Sequence, residues 1–236
     1  MPKLTLITPT GGRPEAFAMC ERYMARQTLQ DWEWIVVDDC NPTMECTMGQ
    51  KVIHSDTFWV PGGPNTQNRN LLLALEQVNT EFVAVVEDDD WYGPKHLENL
   101  CNHLKSTVMA GELPSRYYNV KHQMFRIMTT GPHASLCQTG FRADLILTVK
   151  QICKANSDTD VLLWRQMRGL SPQLYPGNQV VGIKGMPGRA GAGIGHYPKL
   201  RPHYWINDPE AATLKQWIGE DAELYRSYYD GGRNAA

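Results

Sequence analysis

Val83-Ala-Val-Val-Glu-Asp-Asp-Asp-Trp-Tyr-Gly-Pro94 passes from four hydrocarbon side chains straight into four consecutive acids. A short continuous apolar run closed by turn residues has the length and character of a strand buried on both faces. Strands of that kind belong to mainly parallel sheets covered by helices. The acids pose an electrostatic problem, because like charges repel and burial raises the penalty further. On composition alone they are either a solvated turn, with one acid capping a helix that starts near Pro94, or a site that needs a cation.

The same pattern recurs upstream. Leu4–Thr8 is an apolar run ended by the turn residues Pro9-Thr-Gly-Gly-Arg-Pro14, and Trp34-Ile-Val-Val37 is another, ended by Asp38-Asp39. Pro14, suited to a first helical position, opens a helical pattern to about Gln27. A weak strand near Val52–Val60, a helix over Asn65–Val78, a strand at Phe82–Val86 and a helix over Pro94–Leu104 follow. Ligands bind where the carboxyl ends of such strands emerge, and three polar clusters lie there: Thr8-Pro9-Thr10, Asp38-Asp39 and Glu87–Asp90. Beyond residue 110 the pattern predicts strands at Tyr117–Met128, Ala134–Phe141 and Gln179–Ile183. It predicts helices at Ala143–Lys154, Asp158–Arg168 and Pro209–Tyr229, and a frayed end at Asp230–Ala236. There is no internal repeat or linker, so the expected fold is one α/β domain with a mainly parallel central sheet.

The 236 residues can bury a real core, and 42% hydrophobic with 20% charged residues is ordinary for a globular chain. No apolar run reaches the roughly 20 residues of a membrane span, and the N-terminus reads as a first strand, which makes the cytoplasm the expected compartment. Six scattered cysteines with no CxxC pair read as reduced thiols, mostly in the core. The net charge of −2 hides a segregation: residues 113–207 carry 12 Lys/Arg against Asp144, Asp158 and Asp160, while the remainder holds 11 Lys/Arg against 22 Asp/Glu. Such asymmetry points either to an anionic partner on the basic half or to a solvated basic face.

Gln27-Thr-Leu-Gln-Asp-Trp-Glu-Trp-Ile-Val-Val-Asp-Asp39, Asn68-Arg-Asn70 and Val86-Glu-Asp-Asp-Asp-Trp91 follow one another in an order and spacing that resembles the family 2 glycosyltransferases of the GT-A (Rossmann-like) fold. Pro9-Thr10 and Arg13-Pro14 match that family's opening turn, and the resemblance spans roughly residues 3–105. It implies a nucleotide-sugar-binding half at 1–110, an acceptor-binding and catalytic half at 111–207, and a helical tail at 208–236. It implies Mn²⁺ or Mg²⁺ on the donor diphosphate, with Asp89, Asp90 and His196 as ligands and His203 as an alternative. Pro9, Thr10, Arg13, Asp38, Asp39, Arg69, Asp88 and Asp89 fall on donor-binding positions, typically for uridine. Ser157-Asp-Thr-Asp-Val-Leu-Leu-Trp-Arg165 is similar to the family's Glu-Asp-x-Asp-Leu-x-x-Arg segment, which makes Asp158 the expected general base and Asp160 its competitor. The glycine-rich segment Gly185–Gly195 suits a loop closing over the donor.

The sequence departs from that pattern at Gly11-Gly12, Cys40-Asn-Pro42, Glu87 and Ser157. A basic acceptor half implies an anionic acceptor, such as nucleic acid carrying a hydroxylated base, bound in a salt-dependent way. Tyr117, Tyr118, Tyr197, Tyr204 and Trp205 are candidates to stack on a base or sugar; a glycan, lipid-linked or small-molecule acceptor is the alternative. A metal-dependent nucleotidyltransferase and a non-catalytic binding module are the rival classes.

Overall fold

A computed structural model describes residues 3–60, 63–128, 131–155, 158–189, 194–196 and 202–229. In chain order the elements are β1 (Leu4–Thr10), α1 (Pro14–Ala25), β2 (Trp32–Asp38), β3 (Lys51–His54), α2 (Gln67–Leu75), β4 (Phe82–Val85), β5 (Trp91–Tyr92), α3 (His96–Leu104), β6 (Met109–Leu113), β7 (Ser115–Asn119) and β8 (Met124–Met128). After these come β9 (Thr139–Arg142), α4 (Ile146–Lys154), α5 (Thr159–Met167), β10 (Gln173–Pro176), β11 (Val180–Lys184), β12 (Ile206–Asn207) and α6 (Ala212–Ile218).

The main sheet runs β10-β6-β9-β4-β1-β2-β3. The β1, β2, β3 and β4 pairings are parallel, and β9 is the antiparallel strand between β4 and β6. Period-2 alternation divides each central strand between two cores. Leu4, Leu6, Trp34, Val36, Phe82 and Ala84 pack against α1 and α3 on one face. Ile7, Ile35, Val37, Val83 and Val85 pack against α2, α4 and α5 on the other. The expected three-layer α/β architecture is therefore present. Strands from both halves share the main sheet, because β9 and β10 come from beyond residue 110. A second sheet runs β12-β8-β7-β11-β5.

Several elements differ from expectation. The weak third strand stops at His54, because residues 55–59 leave the edge and tie to the end of β2: Ser55 N–H donates to Asp38 O (3.1 Å) and Trp59 N–H to Asp39 O (2.8 Å). The expected strand at 117–128 is an antiparallel pair, β7 and β8, reversing through Gln123 at φ +48°. Residues 134–141 begin with a 3-10 turn, Leu136–Gln138, before β9. The predicted C-terminal helix is α6 followed by 3-10 structure over Gly219–Tyr228. Residues 230–236 lie outside the described residues. The six cysteines are free thiols, four of them buried, and no helix among the described residues is long and apolar enough to cross a membrane.

Glu112 on β6 illustrates a buried acid retained for shape. Its Oε1 accepts the N–H groups of Gln179 (2.7 Å) and Val180 (3.0 Å), fixing the turn before β11, while Oε2 is buried without a hydrogen-bond partner. Burial pushes its carboxyl up to about 7 from an ordinary 4.5. Between those values the folded state keeps a proton that the unfolded chain releases, so stability falls as pH rises through this window. Glu112→Gln keeps the accepting oxygen without the charge. Denaturant unfolding at pH 5 and pH 8 is expected to show the variant gaining about 3 kcal/mol over wild type at the higher pH. Equal gaps at both pH values would contradict this assignment.

Candidate active site

The carboxyl ends of β1, β2 and β4 bring the three polar clusters to one edge. At the first, Thr10 Oγ1 donates to Asp88 Oδ2 at 2.5 Å. Arg13, in the turn after β1, contacts Asp88 Oδ1 with Nη2 (2.5 Å) and Asp89 Oδ2 with Nη1 (2.9 Å). Pro9 lies within β1 beside Val37 of β2. At the end of β2 the paired aspartates divide. Asp38 turns into its own loop, accepting the N–H groups of Cys40 (2.9 Å) and Met44 (2.7 Å). Asp39, fully buried, accepts from Thr66, from Arg69 Nη2 (3.2 Å), from Asn70 Nδ2 (2.9 Å) and from Arg189 Nη1 (2.9 Å). The hydroxyl of Thr66, at the N-cap of α2, thus serves Asp39 and makes no cap.

The four acids at the end of β4 separate in the same way. Glu87 accepts from Gln67 Nε2 at 2.7 Å. Asp90 points inward, where Oδ1 accepts from Ile183 N–H (2.9 Å) and Lys184 Nζ (2.8 Å). Asp89 Oδ2 lies 3.4 Å from Lys184 Nζ and 3.7 Å from His196 Nε2. Burial pushes Glu87 up to about 8 and Asp88 up to about 6, the latter opposed by Arg13. Burial acts on Asp89 in the same direction, but Lys184 and Arg13 outweigh it and hold this carboxyl well below the usual range. Burial and the Lys184 charge push His196 down to about 4, so it is neutral at physiological pH, the form that ligates metals.

A divalent cation fits these residues. Three carboxylates, Asp88, Asp89 and Asp90, pair with two protein cations, Arg13 and Lys184. Asp90 Oδ2 is buried without a hydrogen-bond partner, and hard oxygen donors suit Mg²⁺ or Mn²⁺. The geometry draws together two groupings: Asp89 with His196, and Glu87 with Asp90 and Cys137, whose donor atoms lie within 4.8 Å of one another. Among the described residues Asp89, Asp90 and His196 do not form one cluster of ligand atoms: the expected set of three is divided between the two groupings. His203 is exposed and lies against Tyr204, 4.1 Å between ring centroids.

Asp158 occupies the N-cap position of α5, exposed and with no side-chain cap hydrogen bond. Thr159 Oγ1 donates to Asn68 Oδ1 (2.7 Å), which ties α5 to the helix that carries Arg69. Asp160 is half-buried, lining a cavity of about 110 Å³ with Ser115, Tyr117, His133 and Ser135, and burial raises its carboxyl. Ser157 and Tyr197 lie outside the described residues. Tyr118 and Trp205 are buried, which removes them as stacking platforms for an acceptor.

Lys184 and Arg189 were not among the residues expected here. Both come from the basic half, so the charge segregation is met partly inside the molecule. At the surface Arg142 also meets an acid of the other half, 3.7 Å from Glu81. A cation at the end of the apolar run 180–183 was the available signal for Lys184. For Arg189 it was the one charge in a segment of small residues.

The sequence pattern of glycosyl transferase family 2 matches residues 5–145. An Escherichia coli (strain K12) protein named as a colanic acid biosynthesis glycosyl transferase, WcaA, is 25% identical over 134 residues, covering 52% of this chain and 46% of that protein. The S. aureus TarS 1-349 structure overlaps with a TM-score of 0.53 at 18% identity, covering 77% of this chain and 60% of TarS. The same fragment in complex with UDP gives 0.54 at 16% identity, with the same coverage of each chain. This chain thus spans about half of WcaA and three fifths of the TarS fragment, and the overlaps show the GT-A type of fold. With its pattern running from β1 through the acids after β4 to β9, the chain belongs to glycosyl transferase family 2.

Proposed function

We propose that this chain moves a glycosyl group from a nucleoside-diphosphate sugar, most simply a UDP-sugar, to an acceptor hydroxyl. The observation that carries this is the run Glu87–Asp90, set at the sheet edge with more carboxylates than protein cations. The neighbouring Asp39, Arg69 and Thr66 then receive the nucleoside, as residues 1–110 form the donor-binding half. The TarS complex with UDP is in keeping with that choice of nucleotide.

Glu87 and Asp90, or Asp89 with His196, would hold Mn²⁺ or Mg²⁺; such an ion would neutralise charge on the departing diphosphate. Arg13 and Lys184 add fixed positive charge at the same edge, where low dielectric strengthens it. Asp158 takes the proton of the acceptor hydroxyl as its oxygen attacks the anomeric carbon. Residues 111–207 supply the acceptor side. Lys121, Lys154, Arg165 and Arg168 remain exposed there, which supports an anionic acceptor such as DNA with a hydroxylated base.

A thermal-shift panel of UDP and UDP-sugars, each with Mn²⁺ and with EDTA, tests donor binding. Upward shifts that require both nucleotide and Mn²⁺ are expected; no shift with any nucleoside diphosphate would remove the proposal.

A further inference from the structure

Arg189 is placed unlike a solvated loop residue. Its N–H donates to Gly12 O (3.1 Å), Nη1 donates to Asp39 Oδ1 (2.9 Å), and Nη2 donates to Thr66 Oγ1 (2.6 Å). The guanidinium carbon lies 4.8 Å from the ring centroid of Trp59. Three separate stretches of chain therefore meet on this side chain, and a fourth on its backbone N–H. Two glycine turns allow the approach. A Cβ on Gly188 (φ +95°) would lie 2.2 Å from Gly12 O, and one on Gly11 (φ +156°) 2.3 Å from Asp39 Oδ1. Gly188 thus lets the segment after β11 seat against the turn after β1, and Gly11, where the sequence departs from the family pattern, leaves room for the Asp39 carboxylate.

The two oxygens of Asp39 are used unequally. Oδ2 accepts from Thr66, Arg69 and Asn70, all fixed by α2. Oδ1 is met by Arg189. With the guanidinium withdrawn, this edge offers a carboxylate oxygen beside the face of an indole. A planar ring with an N–H on its rim satisfies both, and stacking of a base on an aromatic is worth about 1–3 kcal/mol. A guanidinium is itself planar, rich in N–H and prone to stack on aromatics, so it meets the same two groups.

Resting on the nucleotide binding proposed above, we infer that Arg189 is an internal occupant of the nucleobase slot and competes with the donor for it. Donor entry then requires the guanidinium to leave Asp39 and Trp59. Apparent donor affinity is the intrinsic affinity reduced by the fraction of molecules in which the slot is open.

Calorimetric titration of UDP in the presence of Mn²⁺ into wild type, Arg189→Gln and Arg189→Lys tests this. Inorganic pyrophosphate serves as the ligand without a base, and as the check that each variant is folded. If the arginine fills the slot about nine-tenths of the time, Arg189→Gln binds UDP about tenfold more tightly. Arg189→Lys, which keeps charge without the stacking plane, falls between, and pyrophosphate affinity stays within about twofold throughout. Unchanged or weaker UDP binding by Arg189→Gln, with wild type still binding UDP, overturns the competition and leaves nucleotide binding standing. Pyrophosphate binding without UDP binding in every variant overturns the nucleoside site itself, and the competition with it.

Discussion

Replacing Lys184 by Met is expected to lower folding stability by about 3–5 kcal/mol, the range found when one partner of a buried ion pair is removed. The ammonium of Lys184 is nearly buried, 2.8 Å from Asp90 and 3.4 Å from Asp89. Methionine fills similar space, so the loss reports charge more than packing. Burial opposes the protonated amine, yet Asp89, Asp90 and Glu87 outweigh it and raise its proton affinity well above the ordinary lysine value. Without Lys184 these acids must hold protons or find another cation. The loss is therefore expected to be larger at pH 8 than at pH 5, where Glu87, pushed up to about 8, retains its proton in the folded state. Mn²⁺ is expected to restore part of the stability by supplying the missing charge. Urea unfolding at the two pH values, with and without Mn²⁺, measures this. A loss below about 1 kcal/mol, indifferent to pH and metal, would mean that the acids do not depend on Lys184.

The central strands were legible because their apolar runs are continuous and end in acids or turn residues. β6, with Gly111 at its centre and Pro114 just after it, carries little strand character in its own residues; it pairs with β9 and β10, and a Cβ on Gly111 would lie 2.6 Å from Trp164. β5 and β12, at two residues each, are too short to show any period. At the site, the carboxylates were visible as a local cluster, whereas their counter-ions were not. Lys184 and Asp90 are joined by chain reversal across the second sheet, and a pairing 94 residues apart leaves no local pattern. Asp38 and Asp39 look equivalent in sequence, yet one caps its own loop and the other gathers Thr66, Arg69, Asn70 and Arg189. That difference follows from where β2 ends against β1. Likewise the aromatic set proposed for an acceptor included Tyr118 and Trp205, whose burial only the packed second sheet discloses.

Asp158→Asn is expected to reduce sugar transfer by about 10²–10⁴-fold, the usual contribution of a positioned general base. UDP affinity should stay within about twofold, because Asp158 is not among the groups that contact Asp39. Asp160→Asn is the contrast. Its carboxyl is half-buried in the small cavity with Ser115, Tyr117, His133 and Ser135, and burial raises its proton affinity. A smaller loss, under about tenfold, is expected there. The reverse order, with Asp160→Asn the more damaging, would transfer the base to the cavity.

Metal-dependent transfer with Asp158 as base is tested by the release of UDP from a panel of UDP-sugars by wild type and by Asp158→Asn, each with Mn²⁺ and with EDTA. Wild type is expected to release UDP from at least one donor in Mn²⁺ alone, and the variant to bind that donor while releasing little. Absence of release from every donor, or release unaffected by both EDTA and Asp158→Asn, would contradict it.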